Sequence, residues 1–161
     1  MLGEKEAVFN AMEIFKSALA NERKSQLPEA IIDYSNVADI YYASRYVDLK
    51  YVCLLAVRCL VRLSRTTEHG DCWILRALYH CEKLPWVFVN EHDPAIRLCV
   101  VDILCEGIAL CLDCEEQWQN HKTAEQLFKS LKVNYRTYPD RTIQRRIVYA
   151  TTMMKKHKEK K

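Results

Sequence analysis

The sequence predicts an all-α protein of about seven helices, and three observations lead to that prediction. Of the 161 residues, 50% are hydrophobic, which is enough for one sizeable core. The chain has only 3 glycines and 4 prolines, whereas sandwiches and barrels need turn residues about every 8 to 12 positions. Apolar residues recur at helical spacings along most of the chain. We therefore expect a single compact helical domain.

Periodicity and helix-start signals define the first three predicted helices. Residues 4–23 place apolar side chains on one stripe with charged residues opposite, which predicts an amphipathic helix. A second helix is predicted from Pro28, because proline suits a first helical turn, to about Tyr46. Asp48 is a candidate N-cap for a third helix that ends near Ser64 and is apolar around much of its circumference, so we expect it to be largely buried. Its polar stripe consists of Arg58, Arg62 and Arg65.

The middle of the chain contains two further predicted helices. Asp71 is a candidate N-cap for a helix that Pro85 interrupts, after which residues 86–89 form a turn of helix or a buried connector. Asp93 and Pro94 combine an N-cap with a proline at the first helical position. They open the most hydrophobic stretch of the chain. We expect the central buried helix there.

The C-terminal part of the chain contains the last two predicted helices. Thr123 starts a capping-box pattern for a helix that ends near Tyr135. Asp140 introduces the last helix, over residues 141–157. The end of this helix is expected to fray into the basic tail 155–161.

The helix starts reveal a repeat. Asp48, Asp93 and Asp140 are 45 and 47 residues apart, and each opens a segment with apolar residues at comparable offsets. The aligned positions are Tyr51, Ile96 and Ile143, then Leu55, Val100 and Ile147, then Ala56, Val101 and Val148. Shifting the first two units by one residue instead aligns two arginines of the first unit with two acids of the second. These pairs are Arg58 with Asp102 and Arg62 with Glu106.

Helix pairs with a period of about 40 to 47 residues are typical of armadillo and HEAT arrays, and residues 28–157 resemble a short α-solenoid of this kind. The resemblance implies stacked antiparallel helix pairs in a right-handed superhelix, within one domain over residues 1–154. The implied parts are helix pairs at 28–64, 71–113 and 123–154, an N-terminal capping helix at 4–23 and a flexible basic tail at 155–161. An irregular helical bundle with accidental spacing is the alternative interpretation.

Positive charge is concentrated at the C-terminal end. Residues 1–128 carry 13 Lys and Arg against 19 Asp and Glu, a net charge of −6, and residues 129–161 carry 11 against 2, a net charge of +9. Such asymmetry points to nucleic acid, an acidic partner or an anionic membrane surface at that end. A solubilising tail is the simpler alternative for residues 155–161. The candidate contacts are Arg141, Arg145, Arg146, Lys155 and Lys156.

Several classes of protein are disfavoured by what the sequence lacks. Its glycines are isolated, so it has neither a Walker loop nor a dinucleotide fingerprint. No catalytic motif is present, and we expect a protein that is not an enzyme and needs no cofactor. The N-terminal residues contain no apolar signal stretch, and charges interrupt the longest apolar window. An intracellular protein, cytoplasmic or nuclear and without a membrane span, is therefore expected.

The eight cysteines of such a chain are expected to be reduced thiols. Those in apolar periodic runs are predicted to be core residues: Cys53, Cys59, Cys99 and Cys105. Cys111 and Cys114 form a C-x-x-C pair, which leaves a zinc site as an alternative, but no second such pair occurs and no metal is predicted. Further ligands for that alternative would be His69, Cys72, His80, Cys81 and His121.

The function we expect is that of an adaptor or scaffold that binds a peptide or helical segment of another protein. In the resembled families the second helix of each pair lines the groove, which nominates the polar stripes of the predicted second helices. Trp86 and Trp118 are candidate aromatic anchors, and Trp118 is favoured because its neighbours are polar. The candidate partner-binding residues are Arg58, Arg62, Arg65, Asp102, Glu106 and Trp118.

Two alternatives to that function stay open. A nucleic-acid-binding helical domain would use the basic C-terminal helix and tail on phosphates. Self-association, or contact with neighbouring repeats, through the apolar residues of the last helix is also plausible.

Overall fold

Seven α-helices account for most of the residues that the structure, a computed structural model, describes, namely 3–41, 46–66, 71–114 and 118–159. The helices are α1 (Glu4–Arg23), α2 (Leu27–Tyr41), α3 (Val47–Thr66), α4 (Asp71–Val87), α5 (Pro94–Asp113), α6 (Trp118–Tyr135) and α7 (Arg141–Glu159). No strand occurs within these ranges, so the predicted all-α class is confirmed. Over the same residues, none of the helices has the length and apolar character that a membrane span requires.

The first helices begin close to their predicted positions. α1 has the predicted bounds, and α2 carries Pro28 in its first turn. α2 is described as far as Tyr41, and the stretch between it and the predicted end near Tyr46 includes residues 42–45, which lie outside the described residues. Asp48 lies inside the first turn of α3 and not at its N-cap, because α3 begins at Val47. There the carboxylate lies near the positive end of the helix dipole, which still favours an acid.

Two predicted boundaries in the second half of the chain are wrong. Pro85 does not end α4, which continues to Val87. A proline in the last turn leaves only one carbonyl without its donor, here that of Cys81, and a bond beyond the proline, from Phe88 N–H to the Leu84 carbonyl, is intact at 3.0 Å. α6 begins at Trp118, so Thr123 is an interior helical residue and not a cap. α7 extends to Glu159, so the first residues of the expected tail are helical.

Two predicted helix starts, those of α5 and α7, are confirmed, and each has an aspartate N-cap. In each, an aspartate Oδ1 accepts hydrogen bonds from the backbone N–H groups two and three residues further on. The distances are 2.8 and 3.3 Å for Asp93, and 2.8 and 3.2 Å for Asp140. Each cap therefore satisfies two N–H groups that have no partner within their own helix.

The chain divides into two compact units, Met1–Arg76 and Ala77–Lys161. In the first unit, α1, α2 and α3 contact one another pairwise. The buried residues of α1 are three alanines, Ala7, Ala11 and Ala18, and such small side chains allow its neighbours to approach closely. The Phe15 ring packs edge-on against the buried Tyr34 ring at a centroid distance of 5.5 Å.

The turn between α1 and α2 is a Schellman motif built on a serine. Gln26 N–H donates to the Asn21 carbonyl at 2.8 Å, and Ser25 N–H donates to the Glu22 carbonyl at 3.1 Å. Ser25 has a φ of 59°, in the left-handed region where glycine is usual. The motif closes the last turn of α1 and leads the chain directly into α2.

The second unit is organised around α5. This helix contacts α6 and α7, and it is buried on most of its circumference, as predicted for the central helix. α4 also lies against it: a Cβ on Gly107 would be 3.0 Å from Cys81 Sγ and 3.3 Å from Leu127 Cδ1. Gly107 thus lies where α4, α5 and α6 meet, and its lack of a side chain allows them to approach closely.

Candidate functional site

The predicted arginine stripe of α3 lies on the exposed side of that helix. At about 100° per residue, Leu55, Arg58, Arg62 and Arg65 fall within an arc of about 80°. All four are exposed, and Leu55 keeps 47% of its surface. The opposite side of α3 is buried, for example at Ala56 and Leu60. We call the four exposed residues the arginine ridge.

One member of the arginine ridge also holds the first unit together. Arg62 Nη2 lies 2.7 Å from Glu22 Oε1, and the Tyr34 hydroxyl donates to the same oxygen at 3.3 Å. The hydrogen bond to Glu22 is the main cause that raises the pKa of Arg62, and burial is the main cause that raises the pKa of Tyr34. Glu22 therefore links α1 to α2 and α3. Arg62 is only half-exposed and is partly committed to this internal contact.

The predicted acidic positions of α5 are less accessible than the sequence suggested. Asp102 and Glu106 are both half-buried. Asp102 Oδ1 lies 2.7 Å from Arg146 Nε on α7. Two residues nominated for different surfaces, one for a protein groove and one for nucleic acid, thus pair with each other inside the second unit.

The outward side of α7 carries most of the predicted C-terminal basic residues. Arg141, Arg145, Lys155 and Lys156 are exposed and fall within an arc of about 100°. Val148, Tyr149 and Thr152 are exposed on the same side. The other side is buried at Ile143, Ala150, Met154 and His157. We call this exposed side the basic face, and it consists of Arg141, Arg145, Val148, Tyr149, Thr152, Lys155 and Lys156.

Helix electrostatics explain only part of the basic face. Lys155 and Lys156 lie near the C-terminal, negative end of the α7 dipole, where cations stabilise a helix. Arg141 and Arg145 lie near the positive end, where cations are unfavourable. Asp140 offsets this by capping the helix. The α7 dipole therefore does not account for the two arginines.

α4 exposes two aromatic residues, Tyr79 and Trp86, of which the sequence nominates only Trp86 as an anchor. Trp86 keeps 82% of its surface and Tyr79 keeps 49%, and Lys83 Nζ lies 4.0 Å from the centroid of the Tyr79 ring. From sequence alone, Trp86 ranks below Trp118 as a candidate anchor. The favoured Trp118 belongs to α6, but its side chain lies outside the described residues. A sequence signal does exist, since Tyr79 and Trp86 are seven residues apart and therefore lie on the same side of a helix.

Four of the seven cysteines that the structure describes are buried, namely Cys53, Cys81, Cys105 and Cys111. Cys53 and Cys105 are core residues as predicted, whereas Cys59 and Cys99 are only half-buried. Burial raises the pKa of the Cys111 thiol to about 12 and raises that of Cys81 as well. Within the part of the chain that the structure describes, no three potential ligands are grouped as a metal site requires. The side chains of His69, Cys72 and His121 lie outside that part.

Comparison with known proteins gives no relative. No protein-family model matches the chain, and neither a curated protein nor a solved structure is significantly similar to it.

Proposed function

We propose that the two units belong to a short armadillo/HEAT-like α-solenoid. In a stack of helix pairs, the second helix of one pair contacts both helices of the next pair. The triplets α1, α2, α3 and α5, α6, α7 each have this set of contacts. Burial favours an offset of 44 residues between α3 and α5, which is the shifted alignment. It pairs buried residues at four positions: Val52 with Ile96, Ala56 with Val100, Val57 with Val101 and Leu60 with Leu104.

On this scaffold we infer a non-enzymatic interaction module that binds an acidic peptide or helical segment of a partner protein. The observation that carries this proposal is the arginine ridge of α3. It combines three guanidinium groups with an exposed leucine on a side of the helix that the core does not use. Arginine forms bidentate contacts with carboxylates, and a neighbouring apolar contact adds binding energy that salt does not screen.

A defined probe tests this proposal. A fluorescein-labelled amphipathic peptide of alternating glutamate and leucine is titrated with the full chain, and binding is followed by fluorescence anisotropy. We expect Arg58→Glu/Arg65→Glu to weaken binding by at least about tenfold, since two attractive contacts become repulsive. The matched control, Lys5→Glu/Lys16→Glu, makes the same charge change on exposed residues of α1 and is expected to bind within about twofold of the unmodified chain.

The peptide experiment has two outcomes that contradict the proposal. One is equal affinity for the unmodified chain and the arginine-ridge variant. The other is binding that a lysine-and-leucine peptide reproduces. Arg62 is left unchanged in this design, because its removal would also remove the internal contact with Glu22.

Nucleic acid is the second candidate partner, and the basic face of α7 favours it. Four cationic side chains lie on one side of the helix over about 22 Å, and the only acid of α7 is Glu159. If all four contact phosphates of duplex DNA, the logarithm of the affinity falls with the logarithm of salt concentration with a slope of about −3.6. Arg145→Ala is then expected to make the slope shallower by about 1. A slope near zero, or one that Arg145→Ala does not change, contradicts this candidate.

A further inference from the structure

The part of α4 in the second unit has a buried inner side and an exposed outer side that carries two aromatic residues. Its inner side is buried in the core at Ala77, Cys81 and Leu84. Its outer side exposes the two aromatic residues Tyr79 and Trp86. Exposed aromatic residues of this size are common at the centre of protein interfaces.

The outer side of α4 has a symmetric pattern along the helix. Tyr79, Glu82, Lys83 and Trp86 fall within an arc of about 100°. Glu82 and Lys83 occupy the middle, and the two aromatic residues lie three positions beyond them on either side. Read in the opposite direction, the order aromatic, charge, charge, aromatic is the same, with the two charges exchanged.

We propose that the outer side of α4 binds the same side of a second copy of this chain, with the two α4 helices antiparallel. The two-fold axis passes between Glu82 and Lys83. Each Glu82 then lies opposite Lys83 of the other copy, and each Trp86 packs against Tyr79 of the other copy. A two-fold interface requires a surface that is complementary to itself, and the order of charged and aromatic residues on this surface meets that condition.

The charges of the outer side support a second copy as the occupant. Glu82 makes no hydrogen bond or ion pair with another residue among those described, although partial burial raises its pKa. A cation from a second copy would offset that unfavourable burial of its carboxylate. Lys83 donates a hydrogen bond to the Tyr79 hydroxyl and lies over the Tyr79 ring, so its ammonium group is already held on this side of the helix.

The same reasoning disfavours α7 as the self-association surface. Two copies of the basic face would bring Arg141, Arg145, Lys155 and Lys156 against the same cations of the other chain. Like charges at an interface are repulsive, and exposed Val148 and Tyr149 lie among them. The α4 surface has one charge of each sign.

Sedimentation equilibrium of the full chain tests the proposal. We expect the mass to rise with concentration from 18.9 kDa toward twice that value. Lys83→Glu and Glu82→Lys each place like charges opposite one another, and each is expected to raise the dimer dissociation constant at least about tenfold. The exchange Glu82→Lys/Lys83→Glu restores the complementarity and is expected to restore the dimer. Trp86→Lys is expected to give a monomer.

The controls separate this surface from others. All substituted side chains are exposed, and far-UV circular dichroism verifies that each variant is folded. Val133→Lys changes an exposed apolar residue of α6 and is expected to leave the dimer intact. A chain that is monomeric at every concentration overturns the proposal. So does a dimer that the α4 variants do not affect, or one that the exchanged pair fails to restore while the single variants dissociate it.

Discussion

Arg146 Nε lies 2.7 Å from Asp102 Oδ1, and this ion pair joins α7 to α5. The aspartate side chain is 19% exposed and the arginine side chain 48% exposed, so the pair lies at the edge of the core. Arg145, the preceding residue, is exposed on the basic face. Arg146 therefore joins two helices of the fold, whereas the adjacent Arg145 is accessible to a partner.

The Asp102–Arg146 pair is expected to contribute modestly to stability. In a double-mutant cycle with Asp102→Ala and Arg146→Ala, we expect a coupling free energy of about 0.5 to 1 kcal/mol, because solvent screens the half-exposed guanidinium. Urea unfolding at low and high salt measures it, and the coupling is expected to decrease as salt rises. If the losses in free energy of unfolding from the two substitutions are strictly additive at low salt, the two side chains do not stabilise the fold as a pair.

Ser25→Gly is expected to stabilise the protein. Ser25 has a φ of 59°, and a non-glycine residue in the left-handed region costs about 1 kcal/mol relative to glycine. We expect the free energy of unfolding to rise by about 0.5 to 1 kcal/mol, measured by urea titration. Ser25→Ala is the matched control and is expected to give no gain, since alanine keeps the Cβ. An equal gain for both variants would contradict the explanation.

The aspartate N-caps of α5 and α7 are expected to be more important than Asp48. Asp93→Ala and Asp140→Ala each remove two hydrogen bonds to backbone N–H groups and are expected to cost about 1 kcal/mol. Asp48→Ala is expected to cost only a few tenths of a kcal/mol, since Asp48 interacts with the α3 dipole from within the first turn. Thermal unfolding ranks the three variants. If Asp48→Ala lost as much stability as the other two variants, Asp48 would be acting as an N-cap, which contradicts this explanation.

Gly107→Ala is expected to destabilise the second unit although alanine is the better helix former. The new Cβ would lie 3.0 Å from Cys81 Sγ, and we expect a net loss of about 1 kcal/mol or more. Cys81→Ala removes that sulfur and is expected to relieve the contact. The double variant Cys81→Ala/Gly107→Ala should therefore be less destabilised than the sum of the single variants. Additive losses would show that the sulfur is not the obstacle.

Alkaline pH is expected to destabilise the fold through the buried thiols. Burial raises the pKa of Cys53, Cys105 and Cys111 from 9.0 to about 12. Because the folded-state pKa is the higher one, the unfolded chain loses these protons first. The contribution to stability is complete below about pH 9 and is lost as the pH rises toward 12.

The slope of this loss identifies the thiols. Each is expected to lower the free energy of unfolding by about 1.4 kcal/mol per pH unit above pH 9. Urea unfolding in reducing buffer at a series of pH values measures the slope. Above pH 9 the free energy of unfolding of the Cys53→Ala variant is expected to fall less steeply with pH than that of the unmodified chain. An unchanged slope would rule out Cys53 as a contributor.

Local signals predicted the helices best where the chain carries a side-chain cap. Asp93 and Asp140 were recognised from sequence because a cap contacts N–H groups only two and three residues away. The predicted interruption of α4 at Pro85 is wrong, since the free-energy cost of a proline in a helix depends on how many helical residues follow it. The predicted helix start at Thr123 is wrong too, because α6 already contains this residue in its interior.

The amino-acid sequence by itself determined the helical class, most helix starts and the buried character of α5, since these depend on periodicity and on contacts between residues close in the chain. Only the tertiary structure decided which charges are accessible. Arg62 pairs with Glu22, 40 residues away, and Arg146 pairs with Asp102 on another helix. Such pairs form only when burial of the apolar stripes has fixed how the helices pack, and no local pattern specifies that packing.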